Sequence, residues 1–389
     1  MLLARWVADA TTILTLAGLA YGLLALLSAR AYGRRRRIPQ PSTYPAVSIL
    51  KPLKGIDPGM YKDFASHCKQ EYPGEYELLF GVRSLEDEAV PLVERLRAEF
   101  PDVSIRLVVC PRTLGPNGKV STLAQMLPEA RFDHLLINDS DIRVTPKYLR
   151  SVMQRFSAPR DGHRPVGMVT ALYRGRSHAT LGSRLEALGI STDFMPGVLV
   201  ARRMENGLHF GLGSTLAVTR AALDAIGGLE PLTEYLGDDY ELGARIAQAG
   251  FRVVLSREVV ETSVPAYGFG QFWEHQLRWA RNLRDARKAG YLGMGLTYGL
   301  AWALLNVLAH AGSIDSLALL SFMLLVRVAV ALSVGVGLLG DRGVLRHFWL
   351  LPLRDLIALL IWVWSFADDR IVWRGERYRL ANGKLVQAG

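Results

Sequence analysis

The stretch Asp133-His-Leu-Leu-Ile-Asn-Asp-Ser-Asp-Ile-Arg143 sets two carboxylates, Asp139 and Asp141, one residue apart at the end of an apolar run. Leu135, Leu136 and Ile137 are enough for a buried strand, since buried parallel strands read as unbroken apolar runs. Open α/β sheets bind ligands beyond the carboxyl ends of their strands. Two carboxylates there can share a hard divalent cation that also holds a diphosphate. A solvated turn is the plainer reading of Asp-x-Asp alone. Another acidic pair, Asp238-Asp239, opens a helical stretch within Glu234 to Gly243, although acids at a helix start are often only dipole complements. Lys51 and Lys54 follow a first strand, where they meet either a diphosphate, a nucleobase or only solvent. Leu114-Gly-Pro-Asn-Gly-Lys119 is a glycine-containing loop before a helix, a place that favours anions, though it is not a Walker loop. His275-Gln-Leu-Arg-Trp279 sits in a basic, aromatic helix.

These residues need a scaffold, and the spacing supplies one. Strands are expected at 47–50, 76–82, 103–109, 135–137, 166–172, 216–218 and 251–255. Helices are expected at 61–70, 91–100, 120–127, 180–190 and 272–288. Such alternation predicts a parallel sheet wound with helices, an α/β fold of Rossmann-like type. Residues 193–207 are a mixed stretch, expected as an ordinary exposed segment. Gly211-Leu-Gly-Ser-Thr215 predicts a close-packed turn before the strand at 216.

The apolar spans lie at the two ends. Half of the 389 residues are hydrophobic and the formal net charge is +10. The basic residues border apolar runs, and no basic groove interleaved with aromatics is evident, so anionic lipid headgroups explain the charge better than nucleic acid. Cys68 and Cys110 fit neither a metal spacing nor a disulfide framework. Ala10 to Leu27 is long enough to cross a bilayer and carries no charge. Arg34 to Arg37 follow it, which puts the N-terminus outside and the following domain in the cytoplasm. Three more apolar stretches, 291–311, 314–339 and 348–367, make the C-terminal region. Pro352, Arg354 and Asp355 interrupt the last, so an interfacial or re-entrant course is expected there. Arg327 needs a polar partner. The division is therefore a transmembrane helix at 8–31, a cytoplasmic domain at 45–290, a membrane region at 291–367 and a basic tail at 368–389.

Four motifs occur in one order: the run Val47 to Pro58, Asn138-Asp-Ser-Asp-Ile-Arg-Val144, Asp238-Asp239-Tyr240 and Gln276-Leu-Arg-Trp279. Together they resemble the ceramide glucosyltransferase family of inverting glycosyltransferases, over roughly residues 45 to 290. The Leu114 to Ser121 and His275 to Trp279 segments look most like its bacterial hopanoid-glycosylating branch. The resemblance implies a GT-A domain, a UDP-sugar donor, Mg2+ or Mn2+, and a lipid hydroxyl acceptor such as bacteriohopanetetrol or ceramide, in a bacterial inner membrane. It implies metal binding by Asp139 and Asp141 and base catalysis by Asp239. It further implies donor contacts from Lys51, Ser84, Lys119, Asp139 and Gln276, with Arg278 on the diphosphate and Trp279 beside a sugar or the acceptor. Ser84 stands where the family usually has an acid for the uridine; Glu86 or Asp87 are the alternatives. Rival readings are a processive polysaccharide synthase, a polyprenyl-phosphate sugar transferase, and a membrane-anchored sugar-nucleotide sensor without turnover.

Overall fold

The computed structural model describes residues 2–34, 39–157, 164–373 and 376–387. Arg35 to Arg37 and Arg374, which carry part of the charge argument, lie outside the described residues. The chain divides into two compact units: Arg36–Tyr173 with Met204–Ser263, and Met1–Arg35, Arg174–Arg203 and Val264–Gly389. Residues 174–203 and 264–290, which the sequence reading grouped with the catalytic domain, therefore sort with the apolar helices.

The first unit is built on an eight-stranded sheet: β1 (Val47–Pro52), β2 (Tyr76–Val82), β3 (Ser104–Val109), β4 (His134–Ile137), β5 (Ile142–Arg143), β6 (Val166–Arg176), β7 (Leu216–Thr219) and β8 (Arg252–Ser263). Their order is β3-β2-β1-β4-β7-β6-β8-β5. Pairings among β3, β2, β1 and β4 are parallel, while β4–β7, β6–β7 and β5–β8 are antiparallel. The expected α/β sheet wound with helices is present, parallel among its first four strands and mixed beyond them. Helical crossovers separate the first strands and keep them parallel, whereas β7 follows a turn-rich connection and enters from the opposite end. β1 has β2 on one side and β4 on the other, so chain order switches between β1 and β4. A crevice forms beyond strand ends at such a switch. Ile49, Leu50, Leu78, Leu79, Phe80 and Leu136 are fully buried, as the apolar runs require.

Among the described residues of the second unit, three helices are long and apolar enough to cross a membrane: Ala4–Gly33, Ile314–Leu338 and Gly343–Ser365. A further pair, Lys288–Thr297 and Gly299–Ala309, is bent by 54° at its break. Close backbone approach holds part of this unit together: a Cβ on Gly18 would lie 2.3 Å from the Cα of Gly299. Small residues permit such crossings where lipid gives helices no hydrophobic drive to associate. Residues 193–202 are not an exposed segment, and exposure begins only at Arg203 and Met204. A π-turn, Ile190–Phe194, leads into the helix Met195–Met204, whose Met195, Val198 and Leu199 are buried.

The last segment is a single helical candidate despite Arg354 and Asp355, because its acid is neutralised inside the protein. Arg327 grips Asp355 with both prongs, Nε to Oδ2 at 2.6 Å and Nη2 to Oδ1 at 2.7 Å. Its Nη1 donates to the Thr192 carbonyl at 2.7 Å. The expected basic tail is partly folded as well: β9 (Arg370–Trp373), β10 (Glu376–Ala381) and β11 (Lys384–Gln387) form an antiparallel sheet. Asn382 and Gly383, both at positive φ, make its tight turn. Helix Phe269–Ala286 touches this sheet: Arg284 pairs with Asp369, and Asp285 accepts the Gly383 N–H. The chain between them must therefore cross any bilayer an even number of times.

Breaking the buried pair tests this account. Arg327→Leu leaves Asp355 uncompensated and is expected to destabilise by ~3–5 kcal/mol. Adding Asp355→Leu should restore most of the loss, read as thermal denaturation midpoints in detergent. Equal midpoints for the single and double variants would contradict it.

Candidate functional site

The site grows from the end of β4. Asn138 is fully buried and donates through Nδ2 to the Tyr148 hydroxyl at 3.0 Å and to the Ser214 carbonyl at 2.6 Å. The turn Asp139-Ser140-Asp141 then leaves the sheet under restraint on every side. Lys51, at the end of β1 and fully buried, donates to the Asp139 carbonyl at 3.1 Å. Ser140 donates to Asp57 at 3.0 Å. Thr262 of β8 donates to Asp141 Oδ2 at 2.5 Å, and the Ser263 N–H to its carbonyl. The short strand β5, which sequence reading missed, continues the turn by pairing with β8.

The second acidic pair joins the first. Asp238 and Asp239 open the helix Asp238–Gln248, where the N-terminal dipole favours carboxylates. Lys119 connects the two pairs: its Nζ lies 2.8 Å from Asp139 Oδ1 and 3.2 Å from Asp238 Oδ2. It stands in the first turn of helix Gly118–Met126, which Asn117 caps by accepting the Val120 N–H at 3.2 Å. Asp239 has different partners. Oδ2 accepts the Gly213 N–H at 2.8 Å and Oδ1 accepts the Tyr240 N–H at 2.8 Å. A Cβ on Gly213 would lie 3.3 Å from Asp239 Oδ2 and 3.5 Å from Asp139 Oδ2. The glycine therefore keeps open a small space that both carboxylates border.

Burial and crowding shape the charges. Burial above all, then Asp139, raises the Asp141 carboxyl to about 6. Asp239 is also raised to about 6, by burial first and Asp238 next, with Lys119 opposing. Burial lowers Lys51 to about 8 against the pull of Asp141 and Asp139. For Lys119 burial works against the charge, but Asp139 and Asp238 outweigh it and hold the ammonium firmly protonated.

Among the described residues no three His, Cys, Asp or Glu side chains form a ready metal cage. Asp139 and Asp141 nevertheless fit Mg2+ or Mn2+. Both are hard oxygen donors in one turn, Asp139 borders the space kept free by Gly213, and Mg2+ sites commonly pair one or two carboxylates with substrate phosphates.

The remaining sequence candidates divide by unit. Ser84, after β2, is exposed, and its Oγ accepts the Glu86 N–H at 3.2 Å. Asp87 is committed to the Gly55 and Ala89 N–H groups. Gln276, Arg278 and Trp279 lie on helix Phe269–Ala286 of the other unit. Gln276 donates to Glu186 at 3.2 Å and accepts from Arg354 at 3.3 Å. Trp279 is 42% exposed and packs edge-on to Phe194. Sequence reading took Gly213 only as part of the close-packed turn before β7, and it missed Thr262, which nothing local marked.

The sequence profile described as Glycosyl transferase family 21 matches residues 10–386. The chain is 25% identical to Ceramide glucosyltransferase 3 of Caenorhabditis elegans over 394 residues, covering 97% of this chain and 83% of that protein. Identity to Ceramide glucosyltransferase 1 of the same organism is 24% over 364 residues, covering 92% and 76%. The solved structure of mannosyltransferase PcManGT from Pyrobaculum calidifontis, in complex with GDP-Man and Mn2+, matches with a TM-score of 0.57 at 18% identity, over 92% of this chain and 99% of that one. That likeness bears on fold, which is of the GT-A type with added membrane helices, as expected.

Two outcomes follow from the geometry. Gly213→Ala should fold, since neighbours need yield only a few tenths of an ångström, but should weaken Mn2+-dependent nucleotide binding. Unchanged binding by calorimetry would show that the space is not used. If Asp239 takes up a proton during turnover, it does so only when ionised. The rate should then fall as pH drops through about 6. Asp239→Asn should lower kcat by ~100- to 10,000-fold while nucleotide still binds.

Proposed function

Because the chain belongs to glycosyl transferase family 21, we propose that it moves one sugar from a UDP-sugar to a hydroxyl of a membrane lipid, with inversion. The observation that carries this reading is the convergence of Asp139, Lys119, Asp238 and Asp239 beside the glycine-kept space. With a divalent cation such a cluster would suit a diphosphate, and its carboxylates suit an incoming hydroxyl; the curated relatives are named as ceramide glucosyltransferases.

In this mechanism Asp239 accepts the proton of the attacking hydroxyl. Its two backbone N–H bonds fix the carboxylate, so the remaining lone pairs point in set directions. The hydroxyl oxygen bonds to the anomeric carbon as the carbon–oxygen bond to the diphosphate breaks and UDP leaves. One displacement inverts the centre, so an α-linked donor gives a β-linked product. When bound, Mg2+ or Mn2+ on Asp139 and Asp141 supplies charge neutralisation at the leaving diphosphate. Lys119 can shift its ammonium from carboxylate to phosphate, while Lys51 holds the metal turn from beneath. The roles of Gln276 and Ser84 in donor binding, Arg278 at the diphosphate and Trp279 beside the acceptor rest on the family resemblance. The lipid is bacteriohopanetetrol, with N-acetylglucosamine as the sugar, or ceramide with glucose.

The site faces the cytoplasm of a bacterial inner membrane in this reading. An even number of crossings between helix Phe269–Ala286 and the C-terminal sheet follows if the bent pair turns back and the last two helices cross. The C-terminal sheet then shares the cytoplasmic side. This places the re-entrant course earlier than the interrupted last segment.

Purified protein in detergent with Mn2+ or Mg2+ should be given UDP-glucose or UDP-N-acetylglucosamine, each against ceramide and bacteriohopanetetrol, with mass detection of the lipid. A monoglycosylated lipid supports the proposal. A polymer would identify a synthase, and transfer only to polyprenyl phosphate would identify a different acceptor class. UDP binding without any product would favour a sensor. Trp279→Ala should raise the lipid KM ~10-fold with UDP affinity nearly unchanged; equal losses of both would remove Trp279 from the acceptor side.

A further inference from the structure

The apolar helices of the second unit border a small cavity whose largely apolar wall carries several polar groups. Its volume is about 30 Å³, and Tyr21, Thr192, Asp193, Tyr298, Arg327 and Asp355 contribute to its wall. Ionisable groups among membrane helices are expensive and need a reason. For Arg327 and Asp355 the reason is their mutual grip. Asp193 has none of that kind: its ion-pair partner, Arg354, stands 3.8 Å away, beyond hydrogen-bond length. Arg354 is only 7% exposed, and its Nε and Nη1 are buried without a hydrogen-bond partner. That guanidinium lies against Gly189 and not on the cavity wall. The cavity itself is marked by the Asp193 carboxylate and the Tyr21 hydroxyl, polar groups that open into it among apolar helices.

The backbone around the cavity is irregular in the same place. Thr192 and Asp193 lie on the π-turn, a widened helical turn found often at functional sites. Tyr298 stands at the break of the bent helix pair. Non-helical backbone at membrane depth is tolerated where it lines a cavity. Two further properties define the occupant. Arg327 on the wall is already matched by Asp355, and Asp193 adds a second carboxylate, so a phosphate would arrive with no free countercharge. The volume admits roughly two water-sized groups, at ~10–15 Å³ each, which excludes a nucleotide or a whole sugar.

We propose that this cavity binds the neutral, hydroxyl- or amide-bearing headgroup of a membrane lipid, with Asp193 and the Tyr21 hydroxyl as its hydrogen-bonding partners. The proposal deepens the lipid-acceptor reading and rests on it for the identity of the ligand as a substrate. It also separates a neutral acceptor from a polyprenyl phosphate, by the charge of the wall alone.

The test uses the full chain in phosphatidylcholine nanodiscs. The probe is a ceramide carrying a photoreactive diazirine near its headgroup. Labelled residues are mapped by mass spectrometry, and lipid KM and UDP affinity are measured alongside. Labelling is expected on residues lining the cavity, falling in Asp193→Asn and in the milder Tyr21→Phe. Lipid KM should rise ~10-fold in both while UDP affinity stays within about twofold, which also certifies folding. If Asp193→Asn does not fold, Tyr21→Phe alone decides by the same readouts. Wild-type labelling and lipid KM in a variant that binds UDP would overturn the cavity proposal and leave the transferase reading intact. Cavity labelling without transfer to any lipid would do the reverse. Better competition by polyprenyl phosphate than by unlabelled ceramide would overturn the neutral-headgroup assignment.

Discussion

Four carboxylates brought to one place in the first unit would repel one another, and Lys119 is the group that lets them stay. Asp139 comes from the end of β4 and Asp238 from the start of a helix about a hundred residues later. One ammonium between them holds the two turns in register and leaves Asp239 to the backbone of Gly213. The dipole of helix Asp238–Gln248 adds to the compensation, and Lys51 fixes the first turn from the buried side. The switch in strand order between β1 and β4 creates the crevice. The lysine makes it habitable for acids.

Much of this was legible in the sequence, for reasons that differ by element. β2 falls on the residues its apolar run predicts, and the helix at Lys119 begins within two residues of expectation. Both are local features: a hydrophobic run centred on Leu78 to Phe80 and an asparagine cap. The acidic pairs were readable as pairs, but only the fold shows that Asp238 turns to Lys119 while Asp239 turns to Gly213. Long-range pairing was not legible. β5 is two residues long and exists because β8 lies beside it, so no periodicity could announce it. Asn382-Gly383 was a readable turn signal that the surrounding charge obscured.

The same logic of paired opposites appears in the apolar unit under different solvent conditions. In the first unit water can reach part of the cluster, with Asp139 37% exposed on its side chain. Arg327 and Asp355 are each about nine-tenths buried, so their geometry has to be complete. Two prongs and the Thr192 carbonyl supply that completeness. Arg354 and Asp193 do not share it, which is why that half of the unit reads as receptive while the other half reads as structural.

The Arg327–Asp355 pair also bears on how the chain enters a membrane during synthesis. Arg327 lies within one apolar helix and Asp355, beside Arg354, within another, and an isolated charge near a helix centre opposes insertion by ~2.5–3.5 kcal/mol. Both helices are apolar enough to cross a membrane, and their charges Arg327 and Asp355 meet as a neutral, hydrogen-bonded pair. The helix containing Arg327 is made first, and the one containing Asp355 follows it. Pairing of Arg327 with Asp355 therefore favours the two helices being buried together over either one alone.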